Sequence, residues 1–106
     1  MRAAAVVFLK APVAGTVKTR LARDVGDERA LRIYRDLAIR QLAAVPTEWI
    51  RLVSFAPAAE RATMEAWLGD AFGLIPQPEG DLGTRLQAGV GAGFARGAEA
   101  VFALGA

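Results

Sequence analysis

Four short apolar runs constrain this chain most: "AAAVVFL" at 3–9, "WIRLVSF" at 49–55, "FGLIPQP" at 72–78 and "EAVFALG" at 99–105. No two are near enough for a hairpin turn, and even the shortest gap, 56–71, has room for a helix. Runs so separated pair as parallel strands through crossovers, since a tight turn can join only antiparallel neighbours. The gaps carry a helical period. Residues 27–44, "DERALRIYRDLAIRQLAA", place apolar side chains at Leu31, Tyr34, Leu37 or Ala38, Leu42 and then Val45, and Pro46 ends the pattern. "AAERATMEAWLGD" reads as a short amphipathic helix closed by Gly69. "DLGTRLQAGVGAGFARG", 81–97, spaces Leu82, Leu86, Val90 and Phe94 by four, with Asp81 as the N-cap. Its glycines at 89, 91, 93 and 97 weaken a helix by up to about 1 kcal/mol each relative to alanine, which points to close packing. The order β-α-β-α-β-α-β predicts a single α/β domain over 1–106, a parallel sheet with helices on both faces.

Composition removes several kinds of chemistry. The 106 residues are 54% hydrophobic, enough for a core, and contain neither cysteine nor histidine. That excludes a disulfide framework, a thiol nucleophile, the commonest general base and the commonest metal ligand. Net charge is only +2, and most arginines sit beside acids, as on a solvated helix face rather than a nucleic-acid-binding stripe. Asp24, Asp27, Glu28 and Asp36 lie on that face, and no pair of them suggests acid–base catalysis. No apolar run reaches the roughly 18–20 residues of a membrane span. The start "MRAAAVVFLKAP" could be misread as a short signal peptide but fits a buried first strand better, and the expected compartment is the cytoplasm. Trp49 and Trp67 read as core residues rather than binding platforms.

Two constellations carry possible chemistry. In "KAPVAGTVKTR", Lys10, Lys18 and Arg20 surround a Pro/Gly turn at the carboxyl end of the first strand. Such a turn brings backbone N–H groups to an anion, and the helix-like segment that follows adds positive potential. A nucleotide-hydrolase phosphate loop needs a second glycine just before the lysine, where Val17 stands. An ordinary surface loop with solvated lysines is the plain alternative. In "QPEGDLGTRL", Gly80 and Gly83 flank Asp81-Leu82, with Arg85 one turn into the helix. Asp81 or Arg85 could bond ligand hydroxyls or phosphates, or the segment could be no more than an N-cap with tight packing.

Together, "FLKAPVAGTVKTRLARDVG", "LRIYRDLAIRQL" and "QPEGDLGTRLQAGVGAGFARGAEAVFALG" resemble the DUF2064 proteins, a glycosyltransferase-A-like group also called radical-SAM/selenodomain-associated transferase 1. The two motifs are K-x-P-x-x-G-x-x-K-T-R-L and G-D-L-G-x-R-L. A more distant similarity, mainly in the first loop, is to nucleotidyltransferases such as 2-phospholactate guanylyltransferase. The resemblance implies a Rossmann-like nucleotide-diphospho-sugar transferase fold. It assigns Lys10, Pro12, Gly15, Lys18, Thr19 and Arg20 to a phosphate grip, and Gln77, Gly80, Asp81, Leu82, Gly83 and Arg85 to the base and ribose side. It also implies Mg²⁺ or Mn²⁺ and a G-[ST]-D-x-P segment after the fourth strand whose Asp binds the metal. Here the sequence reads "ALGA", with Ala106 in the Ser/Thr position. The chain therefore reads as a fold truncated after its fourth strand, a nucleotide-binding half with doubtful catalysis of its own. The expected partner is a nucleotide or nucleotide sugar, with glycosyl transfer as the reaction. The alternatives are nucleotidyl transfer with release of pyrophosphate, and a non-catalytic module that pairs through the edge of its fourth strand.

Overall fold

The computed structural model describes residues 2–105; Ala106, at the Ser/Thr position of the expected G-[ST]-D-x-P segment, lies outside them. The elements run β1 (Ala3–Lys10), α1 (Thr19–Val25), α2 (Asp27–Ala43), β2 (Ile50–Ala56), a 3-10 turn (Ala58–Glu60), α3 (Arg61–Leu68), β3 (Gly73–Pro76), α4 (Leu82–Ala95) and β4 (Ala100–Gly105). All four strands are parallel, in the order β3-β2-β1-β4. The expected α/β sheet is present, and the four apolar runs are its strands.

Because side chains alternate along a strand, β1 supplies both faces of the sheet. Ala5, Val7 and Leu9 join Val53, Phe55, Ala38, Leu42 and Met64 in one core cluster, under α2 and α3. Ala4, Val6 and Phe8 point the other way, toward α4. The helices thus lie on both faces, as two successive crossovers in one direction followed by one in the reverse direction require.

The two helix faces are built differently. On α2 the buried positions are Ala30, Tyr34, Ala38 and Leu42. The expected helix forms, but its inward stripe runs through the alanines, and Leu37 is 45% exposed. On α4 the regular spacing of Leu82, Leu86, Val90 and Phe94 does not mark a buried stripe. Leu82 and Phe94 are 70% and 50% exposed, while the buried residues are Gly89 and Gly93. A Cβ on Gly89 would stand 2.6 Å from Phe8 Cζ, and one on Gly93 2.8 Å from Val101 Cγ2. The strands supply the bulk on this face, so the helix must supply none. Trp49 and Trp67 are half-buried and pack on the core's margin, with Trp49 stacked on Phe102 at 5.2 Å between ring centroids.

Candidate functional site

The carboxyl ends of β1, β2 and β3 form one edge of the sheet, and two adjoining clefts open there. The larger, of about 480 Å³, is lined by Lys10, Gln77, Arg85, Glu60 and Glu79 among polar residues, and by Ala11, Val13, Pro57 and Pro78 among apolar ones. The smaller, of about 260 Å³, is lined by Phe8, Leu9, Lys10, Val17, Lys18, Tyr34 and Gln77. Lys10 and Gln77 belong to both.

The loop after β1 is held by its own backbone. Val13 N–H donates to the Ala11 carbonyl across Pro12 at 2.8 Å, and Thr16 N–H donates to the Val13 carbonyl at 3.1 Å. Thr16 Oγ1 donates to the same oxygen at 2.7 Å. This turn needs a left-handed third residue, and Gly15, at φ +85°, provides it. Lys18 adopts the left-handed region without being glycine, with φ 49° and ψ 47° at the start of α1. Such a conformation is uncommon for a lysine and clusters at functional loops.

Across the edge, Gln77 extends the β2–β3 pairing. Its N–H donates to the Phe55 carbonyl at 2.7 Å, and its Nε2 donates to the Ser54 carbonyl at 2.9 Å. Asp81 is the N-cap of α4, accepting the Thr84 N–H at 2.8 Å. That bond, with help from the Thr84 side chain, holds the Asp81 carboxyl below its usual value. Arg85, one turn in, is half-buried, and its Nε is buried without a hydrogen-bond partner among the described residues.

Of the residues singled out in the sequence, Lys10, Gln77 and Arg85 meet at the larger cleft, and Lys10, Lys18 and Gln77 at the smaller. Pro12 is buried beneath the loop and Gly15 forms its turn. Thr19 and Arg20 are exposed in the first turn of α1 and line neither cleft; the same holds for Gly80, Asp81, Leu82 and Gly83 at the start of α4. Glu60, Glu79 and Tyr34 are lining residues that sequence reasoning missed. Tyr34 reads only as an apolar position of a helix, and no spacing signals where its hydroxyl ends. Among the described residues no three His, Cys, Asp or Glu side chains converge to hold a metal ion. These residues do not by themselves form a divalent-cation site. Nor does any described helix have the length and apolarity to cross a membrane.

An open parallel sheet with paired clefts at its carboxyl edge places this chain among the α/β folds, in which that edge is the usual place for a ligand. The family model "Uncharacterized protein conserved in bacteria (DUF2064)" matches residues 38–106, and the chain belongs to that family. The match includes the second motif and leaves the first loop outside it. The whole architecture is similar to the crystal structure of a candidate nucleotide-diphospho-sugar transferase from Desulfovibrio desulfuricans G20. The TM-score is 0.83 at 29% identity, over 99% of this chain and 47% of that one. This chain thus spans about half the length of that protein. None of the curated proteins matches it.

Proposed function

We propose that the carboxyl edge binds a nucleoside diphosphate sugar, and that the chain is the nucleotide-binding half of a cytoplasmic glycosyltransferase. The observation that carries this reading is the division of labour between the clefts. In the smaller, Lys10 and Lys18 are lining cations and no carboxylate among the described residues is a lining residue, so its potential suits a diphosphate. In the larger, Glu60 and Glu79 offset Lys10 and Arg85, and the walls are alanine, valine and proline. That surface suits a planar base and a ribose, whose hydroxyls can meet carboxylates as well as donors. A ligand oxygen would also give the buried Arg85 Nε the partner it lacks. Lys10 and Gln77 stand where the two parts of one ligand join. The similarity to the Desulfovibrio protein supports the same substrate class. Under this reading Thr19, Arg20 and Asp81 shape or screen the loop ends without touching the ligand.

The test is a thermal melt with UDP, GDP, CDP and ADP, with and without Mn²⁺, beside a Lys10→Ala/Lys18→Ala double variant. At a hundredfold excess over Kd, binding adds about 2.7 kcal/mol to stability, a rise of roughly 10 °C or more for a domain this small. One nucleotide should raise the melt of the wild type and leave the variant unmoved. A cooperative melt that no nucleotide shifts would falsify the reading.

A further inference from the structure

Resting on that reading, we propose that Tyr34 is a positioning residue of the site: its hydroxyl fixes the backbone of Lys10, the cation shared by both clefts. Lys10 N–H donates to the Tyr34 hydroxyl at 2.8 Å, and the hydroxyl donates to the Lys10 carbonyl at 2.8 Å. One phenol can do both because it carries a donor and acceptor lone pairs together.

Among the described residues it is the Tyr34 hydroxyl, not a neighbouring strand, that meets these two backbone groups. Ala11 N–H donates to the Ala56 carbonyl of β2. Alternate residues of a strand turn their peptide groups to opposite neighbours, so those of Lys10 face away from β2, toward the β4 side. There, among the described residues, the pairing of β1 with β4 extends to Phe8↔Gly105. Lys10 lies beyond it, at the mouth of the clefts. At this position the Tyr34 hydroxyl meets both backbone groups of Lys10.

Several features hold the hydroxyl in place. Tyr34 is 4% exposed and sits within the long helix α2. Its ring lies 6.5 Å from that of Trp67, tilted by 37°. Burial pushes the phenol above its ordinary value of 10.0, against the pull of the Lys10 hydrogen bond, so it remains a donor at neutral pH. Lys10 thus starts from a fixed Cα, although its side chain is exposed. Pre-organising the base of a flexible cation reduces the ordering that binding must impose. A purely structural tyrosine would lend stability alone and leave affinity unchanged.

The test measures affinity for UDP, GDP, CDP, ADP and inorganic pyrophosphate in the wild type and in Tyr34→Phe, which keeps the ring and deletes both hydrogen bonds. Expected is a cooperative melt in the variant with binding about three- to tenfold weaker. Equal affinity in the two proteins overturns the positioning role while leaving the nucleotide reading intact. Binding by neither, in chains that melt cooperatively, overturns the nucleotide reading and this role with it. Should the variant not fold, the wild type still decides. Tyr34 is the chain's single tyrosine, so Cζ labelling of tyrosine with carbon-13 gives one NMR resonance. Saturation with the bound probe should shift that resonance in the wild type. Lys10→Ala keeps the backbone bonds but loses the cation, and there the shift should be lost. A resonance unmoved in the saturated wild type counts against the proposal as directly as equal affinity does.

Discussion

The two faces of the sheet meet their helices in opposite ways. Under α2 and α3 the core is filled from both sides, with Val7, Val53 and Phe55 on the strands and Ala38, Leu42 and Met64 on the helices. Under α4 it is filled from one side, with Val6, Phe8 and Val101 pressing against Gly89 and Gly93. Close contact between helix and sheet is thus made with different distributions of volume on the two faces. The first face should therefore fail when emptied, the second when filled.

The largest effect is expected on the filled face. Met64 is fully buried in the α3 cluster, and Met64→Ala removes its volume from a region with little room to collapse. A loss of about 2–5 kcal/mol is expected, read as the shift in urea midpoint at unchanged slope. A loss below 1 kcal/mol would mean that this face is loosely packed, and the contrast with α4 would lose its first half.

On α4 the same substitution should change sign with position. In Gly93→Ala the new methyl would lie 2.8 and 3.1 Å from the two Val101 γ-carbons and 3.4 Å from Ala4 Cβ. Valine is stiff at χ1 and cannot swing aside freely. Overpacking then outweighs the gain in helix propensity, and a net loss of about 1–2 kcal/mol is expected. Gly91 has nothing within 4 Å of an added Cβ. Gly91→Ala should therefore stabilise by roughly 0.5–1 kcal/mol, mainly through helix propensity. Adding Val101→Ala to Gly93→Ala should recover part of the loss. If both glycine variants gain stability, α4 stands farther from the sheet than the 2.8 Å approach requires.

This contrast also explains what was legible in the sequence. Strand positions could be read because a buried parallel strand is a short apolar run whichever helix covers it. Helix positions could be read from period and caps; Asp81 and Gly69 mark their ends as expected. Facing could not. A period of four gives Leu82, Leu86, Val90 and Phe94 the look of a core stripe, but the core side of α4 is set by which residues are small enough to meet Phe8 and Val101. On α2 the inward Ala30 and Ala38 carry less hydrophobic signal than Leu31 and Leu37 beside them. The site was legible in a similar, partial way. Lys10, Gln77 and Arg85 flank strand ends or a helix start and could be found. Tyr34 reaches Lys10 through a hydroxyl delivered from the middle of α2, and no local pattern announces it.

The smallest stability effect is expected at Leu82, where the comparison of faces meets the site. Leu82 precedes Gly89 by seven residues, nearly two turns, so it shares the inward face but lies about 10 Å farther along the axis. Gly89 sits over Phe8, near the carboxyl end of β1. Leu82, two turns beyond, is 70% exposed, as expected of a helix face that runs past the end of the strands. Leu82→Ser should then leave the unliganded melt within about 0.5 kcal/mol of wild type. Its effect on the nucleotide-induced rise is the sharper reading. A smaller rise would mean that the overhanging leucine covers part of the bound nucleoside, as its place in the second motif implies. An unchanged rise would leave Arg85 as the motif's one residue lining the cleft, beside Gln77 just before it, and put Leu82 outside the site.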